Sequence, residues 1–234
     1  MPNEAISKEK IVTKRFVFNK SSIAALRKEA SVAFGPEDKG PSRVEVISAF
    51  LWKHFMAMAK AKQGNKKPKL FAALHAVNLR ERMVPQLPVH SFGNLWRVAI
   101  ATSPVDIETD FRFLVSQLRN TIMEINTKYV KKLLQDNDGY LDFIKKASKQ
   151  FLHGEIEFCN FTSWCRFPVY EVDFGMGKPT WVCSPNRPCK NVVVMMSTKD
   201  GDGIETWVNM KKEDMDMFEH DQELLSYASS ADGE

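Results

Sequence analysis

The chain has 234 residues, 44% hydrophobic and 26% charged, a globular balance that excludes an intrinsically disordered chain, a collagen-like repeat and a disulfide-scaffold miniprotein. Thirty-three Lys and Arg against 29 Asp and Glu leave a net charge of +4. That excess is spread over many segments, without the concentrated basic stripe of a nucleic-acid binder, and leaves room for an anionic small ligand. No run reaches the roughly 18 apolar residues that span a bilayer, and Met1-Pro2-Asn3-Glu4-Ala5 leads into charge without a signal-peptide core, so the expected compartment is the cytosol. In that setting Cys159, Cys165, Cys183 and Cys189 are expected as reduced thiols, and their two five-residue gaps miss the usual zinc spacing, so no metal is expected.

In chain order, residues 11–18 (IVTKRFVF) alternate and are β-branched or aromatic at most positions, which predicts a strand. A short helix over 22–30 is followed by a loop at 34–41 rich in Gly, Pro, Asp and Lys. That loop ends where Ser42 and Glu45 stand three apart as a capping box. From there Val44, Ile47, Leu51, Phe55 and Met58 recur at helical spacing until Gly64 and Pro68. Residues 70–79 read as a buried strand with Arg80-Glu81-Arg82 at its exit, either a clamp or a solvated edge, and 95–101 as another strand. Pro104 and Asp106 announce a helix on which Phe111, Leu114, Leu118, Ile122, Ile125, Tyr129 and Leu133 keep period, predicted as the longest element of the chain. A further helix is predicted from Asp138-Gly139 to about Lys149. Strands follow at 155–161, 167–174, 191–198 and 204–210, then helix over 211–218 and the tail. The order lacks βαβα alternation and carries no repeat, so the expected class is α+β, a mixed sheet flanked by helices.

Local chemistry alone names no reaction. A catalytic histidine needs an orienting partner and an access route, and none of the five shows both. His153 shares a predicted strand face with Glu155 and Glu157, which an exposed polar edge explains equally. His54 and His90 read as structural or surface residues, His75 lies inside a strand, and His220 lies in an acidic tail. Gly175-Met176-Gly177 and Gly201-Asp202-Gly203 complete no phosphate-loop pattern and read as tight turns. Met56, Met58, Met123, Met195 and Met196 read as core filling.

Three segments together carry more. Val172-Asp173-Phe174-Gly175-Met176-Gly177-Lys178-Pro179 is similar to the DFGWGKP signature of the plant BAHD acyltransferases, with Met176 where tryptophan is usual. Ala76-Val77-Asn78-Leu79-Arg80, running through Pro85 and Pro88 to Phe92-Gly93-Asn94, and Asp200-Gly201-Asp202-Gly203-Ile204-Glu205 with Trp207-Val208-Asn209 resemble the same family in order and spacing. Thr13-Lys14-Arg15-Phe16, Ser42-Arg43-Val44-Glu45 and Thr162-Ser163-Trp164 extend the likeness over nearly the whole chain, closest to alkaloid and terpenoid O-acetyltransferases of the vinorine synthase type.

The resemblance implies acyl transfer from a CoA thioester, acetyl-CoA above all, to an alcohol or amine of a specialised metabolite, with no permanently bound cofactor. It implies a two-domain fold whose domains meet along a channel. The family's general base is the histidine of an HxxxD motif. Here the fourth residue after each histidine is Met58, Leu79, Asn94, Glu157 or Leu224, never Asp. The chain therefore resembles the C-terminal half of a longer enzyme. Residues 1–20 are expected to end the N-terminal domain and crossover, 21–166 and 192–234 to form the C-terminal domain, and 167–191 to be a crossover segment pairing with the other domain. Left unpaired, that strand edge would promote self-association. By the same resemblance Thr162 and Trp164 line the reaction site as supporting donors. Asp173, with Phe174, Gly175 and Gly177, forms a structural loop whose Asp pairs with Arg80, and breaking such a pair would cost about 3 to 5 kcal/mol. Lys39, Ser42 and Arg43 would cradle the coenzyme phosphates at a helix N-terminus.

Overall fold

The computed structural model describes residues 10–35, 39–61, 68–88, 90–105, 110–135, 145, 149 and 153–231. Strand β1 (Ile11–Phe18) forms at its predicted bounds and turns Phe16 and Phe18 inward. Helix α1 (Lys20–Ser31) begins two residues earlier than predicted because Asn19 caps it, its Oδ1 accepting from the Ser22 amide at 2.8 Å. Helix α2 (Arg43–Ala61) opens on the predicted capping box: the Ser42 amide donates to Glu45 Oε2 at 2.7 Å and the Glu45 amide to Ser42 Oγ at 3.2 Å. Strands β2 (Leu70–Asn78) and β3 (Trp96–Pro104), helices α3 (Phe111–Glu124) and α4 (Thr127–Gln135), and strands β4 (Ile156–Ser163), β5 (Val192–Ser197) and β6 (Ile204–Lys211) follow. The chain then runs through α5 (Lys212–Phe218) and α6 (Gln222–Tyr227) into the short strand β7 (Ala228–Ala231).

The seven strands form one mixed sheet in the order β3-β2-β4-β5-β6-β1-β7, in which β2, β4 and β5 are parallel neighbours and the other pairs antiparallel. The six described helices lie on one face of it. Their core is built from α2, whose Val46, Ile47, Phe50, Leu51 and Trp52 are essentially inaccessible, each burial being worth about 1.5–3 kcal/mol. Phe50 is its centre, edge-on to Phe18, Phe111 and Tyr227 at centroid distances of 6.0, 6.3 and 5.1 Å.

The α+β class and the mixed sheet agree with the expectation, and five predictions are corrected. Residues 11–18, assigned to the end of a preceding domain, sit inside this sheet, paired with β6 and β7. The longest described element is α2, because the predicted long helix breaks at Ile125 (ψ 63°), where Asn126 Oδ1 accepts from the amides of Lys128 and Tyr129 and starts α4. Residues 167–174 pair with no strand of this chain; 164–191 is an excursion of turns and irregular backbone. The tail past 218 is helical only to Tyr227, then pairs with β1. His153 lies in a turn before β4, not on the strand. Of the helix predicted over 139–149, residues 145 and 149 are described and helical, and the rest lies outside the described residues.

His75 points into the buried face of β2, stacked on Phe161 at 6.2 Å, with Nδ1 at 3.3 Å from the Ala76 carbonyl and Nε2 without a hydrogen-bond partner. Burial pushes its imidazole below the ordinary range. Below about pH 6.5 the unfolded chain takes up a proton that the folded one refuses. His75 therefore makes stability complete at neutral pH and lowers it on acidification, by up to about 1.4 kcal/mol per pH unit until the folded ring itself titrates. Denaturant titrations at pH 7 and pH 5 check this: His75→Phe is expected to flatten the loss, and an unchanged pH dependence would refute the assignment.

Candidate active site

One end of the sheet gathers most of the residues singled out in the sequence. Strand β4 leaves the sheet at Thr162, Ser163 and Trp164, and the Trp164 amide closes the ladder on the Met195 carbonyl at 2.7 Å. Alternation places Phe161 on the helix-covered face and Thr162 on the opposite one. The Thr162 hydroxyl makes no side-chain hydrogen bond among the described residues and is half-buried. The Trp164 indole packs against Val194, Met196 and Trp207 on that same uncovered face, with Val182 from the excursion beside it.

The excursion roofs part of this face. Trp181 lies 5.6 Å from Trp207, the Tyr170 hydroxyl accepts from the Val182 amide at 3.4 Å, and Thr13 Oγ1 donates to Asn186 Oδ1 at 3.0 Å. Beneath it Arg15 Nε donates to Glu205 Oε2 at 2.9 Å, in a pair whose carboxylate side chain is 4% exposed. That hydrogen bond raises the Arg15 guanidinium above its ordinary value, against the opposing effect of burial. Trp207 Nε1 and Asn209 Oδ1, also on this face, lack a partner among the described residues. The rest of the face carries half-buried Leu70, Leu74, Val98, Ile100 and Phe158 with no described helix over them.

The start of α2 lies at the same end. Arg43 Nη1 donates to the carbonyls of Gly201 and Asp202, at 2.9 and 3.0 Å, in the β5–β6 turn. Its charge reaches Cys165, whose thiol is nonetheless pushed up by burial. Ser197 Oγ donates to the Cys165 carbonyl at 3.0 Å, joining the ends of β4 and β5. The turn sits hard on β1: a Cβ built at Gly203 would lie 2.8 Å from the Phe18 carbonyl. The expected anion cradle is thus partly occupied. Ser42 is engaged in the capping box, and Glu45, also held by Arg119 at 3.2 Å, puts a carboxylate on the α2 N-terminus. Lys39 is exposed with no ion pair among the described residues.

The DFGMGKP loop is self-contained. Asp173 Oδ1 accepts from the amides of Gly175 at 2.7 Å and Gly177 at 3.0 Å, and both glycines hold φ near +90°, where a side chain would be strained. Asp173 therefore does not pair with Arg80. Arg80 instead donates from Nε and Nη2 to the Ser91 carbonyl and from Nη2 to that of Gly93, clamping the turn before β3. Phe174 and Met176 project into water, 88% and 91% exposed.

None of the five imidazoles faces Thr162 from the described packing in a base–partner arrangement. His54 and His75 are buried on the helix side, and His220 Nδ1 is bonded to the Asp216 carbonyl.

The model of the Transferase family matches residues 1–225. The chain belongs to that family, the BAHD acyltransferases. It is 38% identical to stemmadenine O-acetyltransferase of Catharanthus roseus over 218 residues, 93% of this chain and 48% of that protein. It is 37% identical to vinorine synthase of Rauvolfia serpentina over 227 residues, 97% of this chain and 50% of that one. The crystal structure of vinorine synthase superposes with a TM-score of 0.75 over 95% of this chain and 49% of that chain. The crystal structure of F. sporotrichioides TRI101 complexed with coenzyme A and T-2, 20% identical, shares the fold at a TM-score of 0.74 over 96% of this chain and 52% of that chain. The chain spans about half the length of these relatives.

The Arg15–Glu205 pair escaped the sequence reading, although both residues stand in segments quoted for the family likeness. Its partners are 190 positions apart, and only the β1–β6 register brings them together. Replacing Arg15 by Met leaves the Glu205 carboxylate buried and uncompensated, which is expected to cost about 3 kcal/mol. The double variant R15M/E205Q is expected to recover a large part of that. Chemical denaturation of the three proteins checks both statements.

Proposed function

We propose that this chain forms the C-terminal domain of an acyl-CoA-dependent O-acyltransferase that moves an acetyl group to an alcohol of a plant specialised metabolite. The observation that carries the reading is the Thr162 hydroxyl, unbonded among the described residues, beside the Trp164 indole at the end of β4, in a chain whose family membership extends over residues 1–225. An alcohol attacks a thioester well only as its proton is removed, and the oxyanion that forms needs donors already in place. Thr162 and Trp164 supply those donors in this reading. The proton-abstracting imidazole comes from the other domain, across the face that no described helix covers. Lys39, Ser42 and the unengaged nitrogens of Arg43 make the proposed contacts to coenzyme phosphates, at the same end of the sheet. The enzyme is cytosolic in this reading, and its partners are acyl-CoA and a small alcohol or amine.

For the chain alone a second reading follows from the absence of any histidine with Asp four residues on: a noncatalytic protein that binds CoA weakly, or associates with itself or with a full-length relative through exposed Phe167, Phe174, Met176 and Trp181.

The test is acetyl transfer from acetyl-CoA to a panel of alcohols, by the chain alone and by the chain fused behind the N-terminal half of vinorine synthase. No turnover is expected from the first and measurable turnover from the second, falling about 10²-fold in Thr162→Ala. Turnover by the isolated chain, or a folded fusion without activity, would overturn the respective parts of the proposal.

A further inference from the structure

Trp164 has a neighbour that the reaction scheme leaves without a role. The Arg187 guanidinium lies over the Trp164 ring, 5.7 Å from its centroid, and Arg187 has no carboxylate partner among the described residues. On the same face Arg15, by contrast, is paired with Glu205. The segment that presents Arg187 is tied down at two consecutive residues. Thr13 Oγ1 donates to Asn186 Oδ1 at 3.0 Å, and Asn209 Nδ2 reaches the Arg187 carbonyl at 3.4 Å, so β1 and β6 both hold the segment that carries it.

Resting on the reading of Trp164 given above, we propose that Arg187 is a positioning residue for Trp164, setting the indole's orientation and strengthening its N–H as a hydrogen-bond donor. Trp164 is confined by three contacts: its backbone amide donates to the Met195 carbonyl, the ring packs against the apolar cluster of Val194, Met196 and Trp207, and the guanidinium lies over the ring. A cation over a ring is attracted to its π density and polarises it. Density drawn toward the guanidinium is withdrawn from the indole nitrogen, and the Nε1–H becomes a better donor to a developing negative charge. Thr162 and Trp164 would then act on an oxyanion with one donor tuned from behind by Arg187, which itself touches no reacting atom.

The experiment uses the whole chain labelled with 5-fluorotryptophan, whose five tryptophans give separate fluorine resonances; loss of one in Trp164→Phe assigns the Trp164 signal. Arg187→Met is expected to shift that signal while leaving the resonance of core Trp52 in place, and Arg187→Lys, which keeps the charge, to shift it less. A Trp164 signal unmoved in Arg187→Met would overturn the proposal. In the active fusion, Arg187→Met is expected to lower kcat about tenfold with KM for acetyl-CoA within about twofold, partly restored in Arg187→Lys. An unchanged kcat would overturn the positioning role. A fusion inactive even as wild type sinks the transfer reading instead, and the fluorine shift still decides the contact.

Discussion

The burial of α2 against the sheet is the constraint on which the rest of the molecule depends. From Glu45 to Met56 all but Lys53 of its residues are buried, so the helix behaves as a core element with little polar face of its own. Such a helix has no freedom to slide, and its first turn is therefore placed by packing far from that turn. This is how Arg43 comes to reach the β5–β6 turn, and how the ends of β4 and β5 share one corner with the capped start of α2. The capping box serves two ends at once: it satisfies amides that the helix leaves open, and it places a carboxylate where Arg119 of α3 can bind it.

Elements whose signals are local were legible in the sequence. β1 read true because alternation over eight residues needs no partner to be recognised, and the start of α2 because Ser42 and Glu45 act on each other's amides three residues apart. The break between α3 and α4 was hidden by a hydrophobic period that continues across it: Ile125 and Tyr129 keep step while Asn126 terminates one helix and starts the next. The carbonyls freed there are bound by Arg82 through Ile122 and Ile125, a contact 40 residues distant that no window can contain. Residues 167–174 carry enough apolar side chains to look like a strand, yet they meet no partner strand, and Asp173 bonds its own loop instead.

The candidate site was legible only by family likeness. Thr162 and Trp164 have no pattern of their own, and nothing in composition separates them from ordinary strand residues. The structure adds what the likeness could not: Thr162 and Trp164 share the face left bare by the helices, and the segment that roofs it is anchored at Asn186 and Arg187. It also removes one inherited detail. Arg80 holds carbonyls of its own neighbouring turn, leaving the DFGMGKP loop to hold itself.

Gly203 shows how closely these parts are geared. With the Phe18 carbonyl and Thr198 occupying the space a side chain would need, the residue sets the spacing between the end of β1 and the hairpin that Arg43 grips. A bulkier residue would wedge the hairpin outward and drag the guanidinium with it, passing the disturbance into the opening turn of α2. A hydrogen atom in place of a methyl group thus keeps three elements in mesh, like the clearance between teeth.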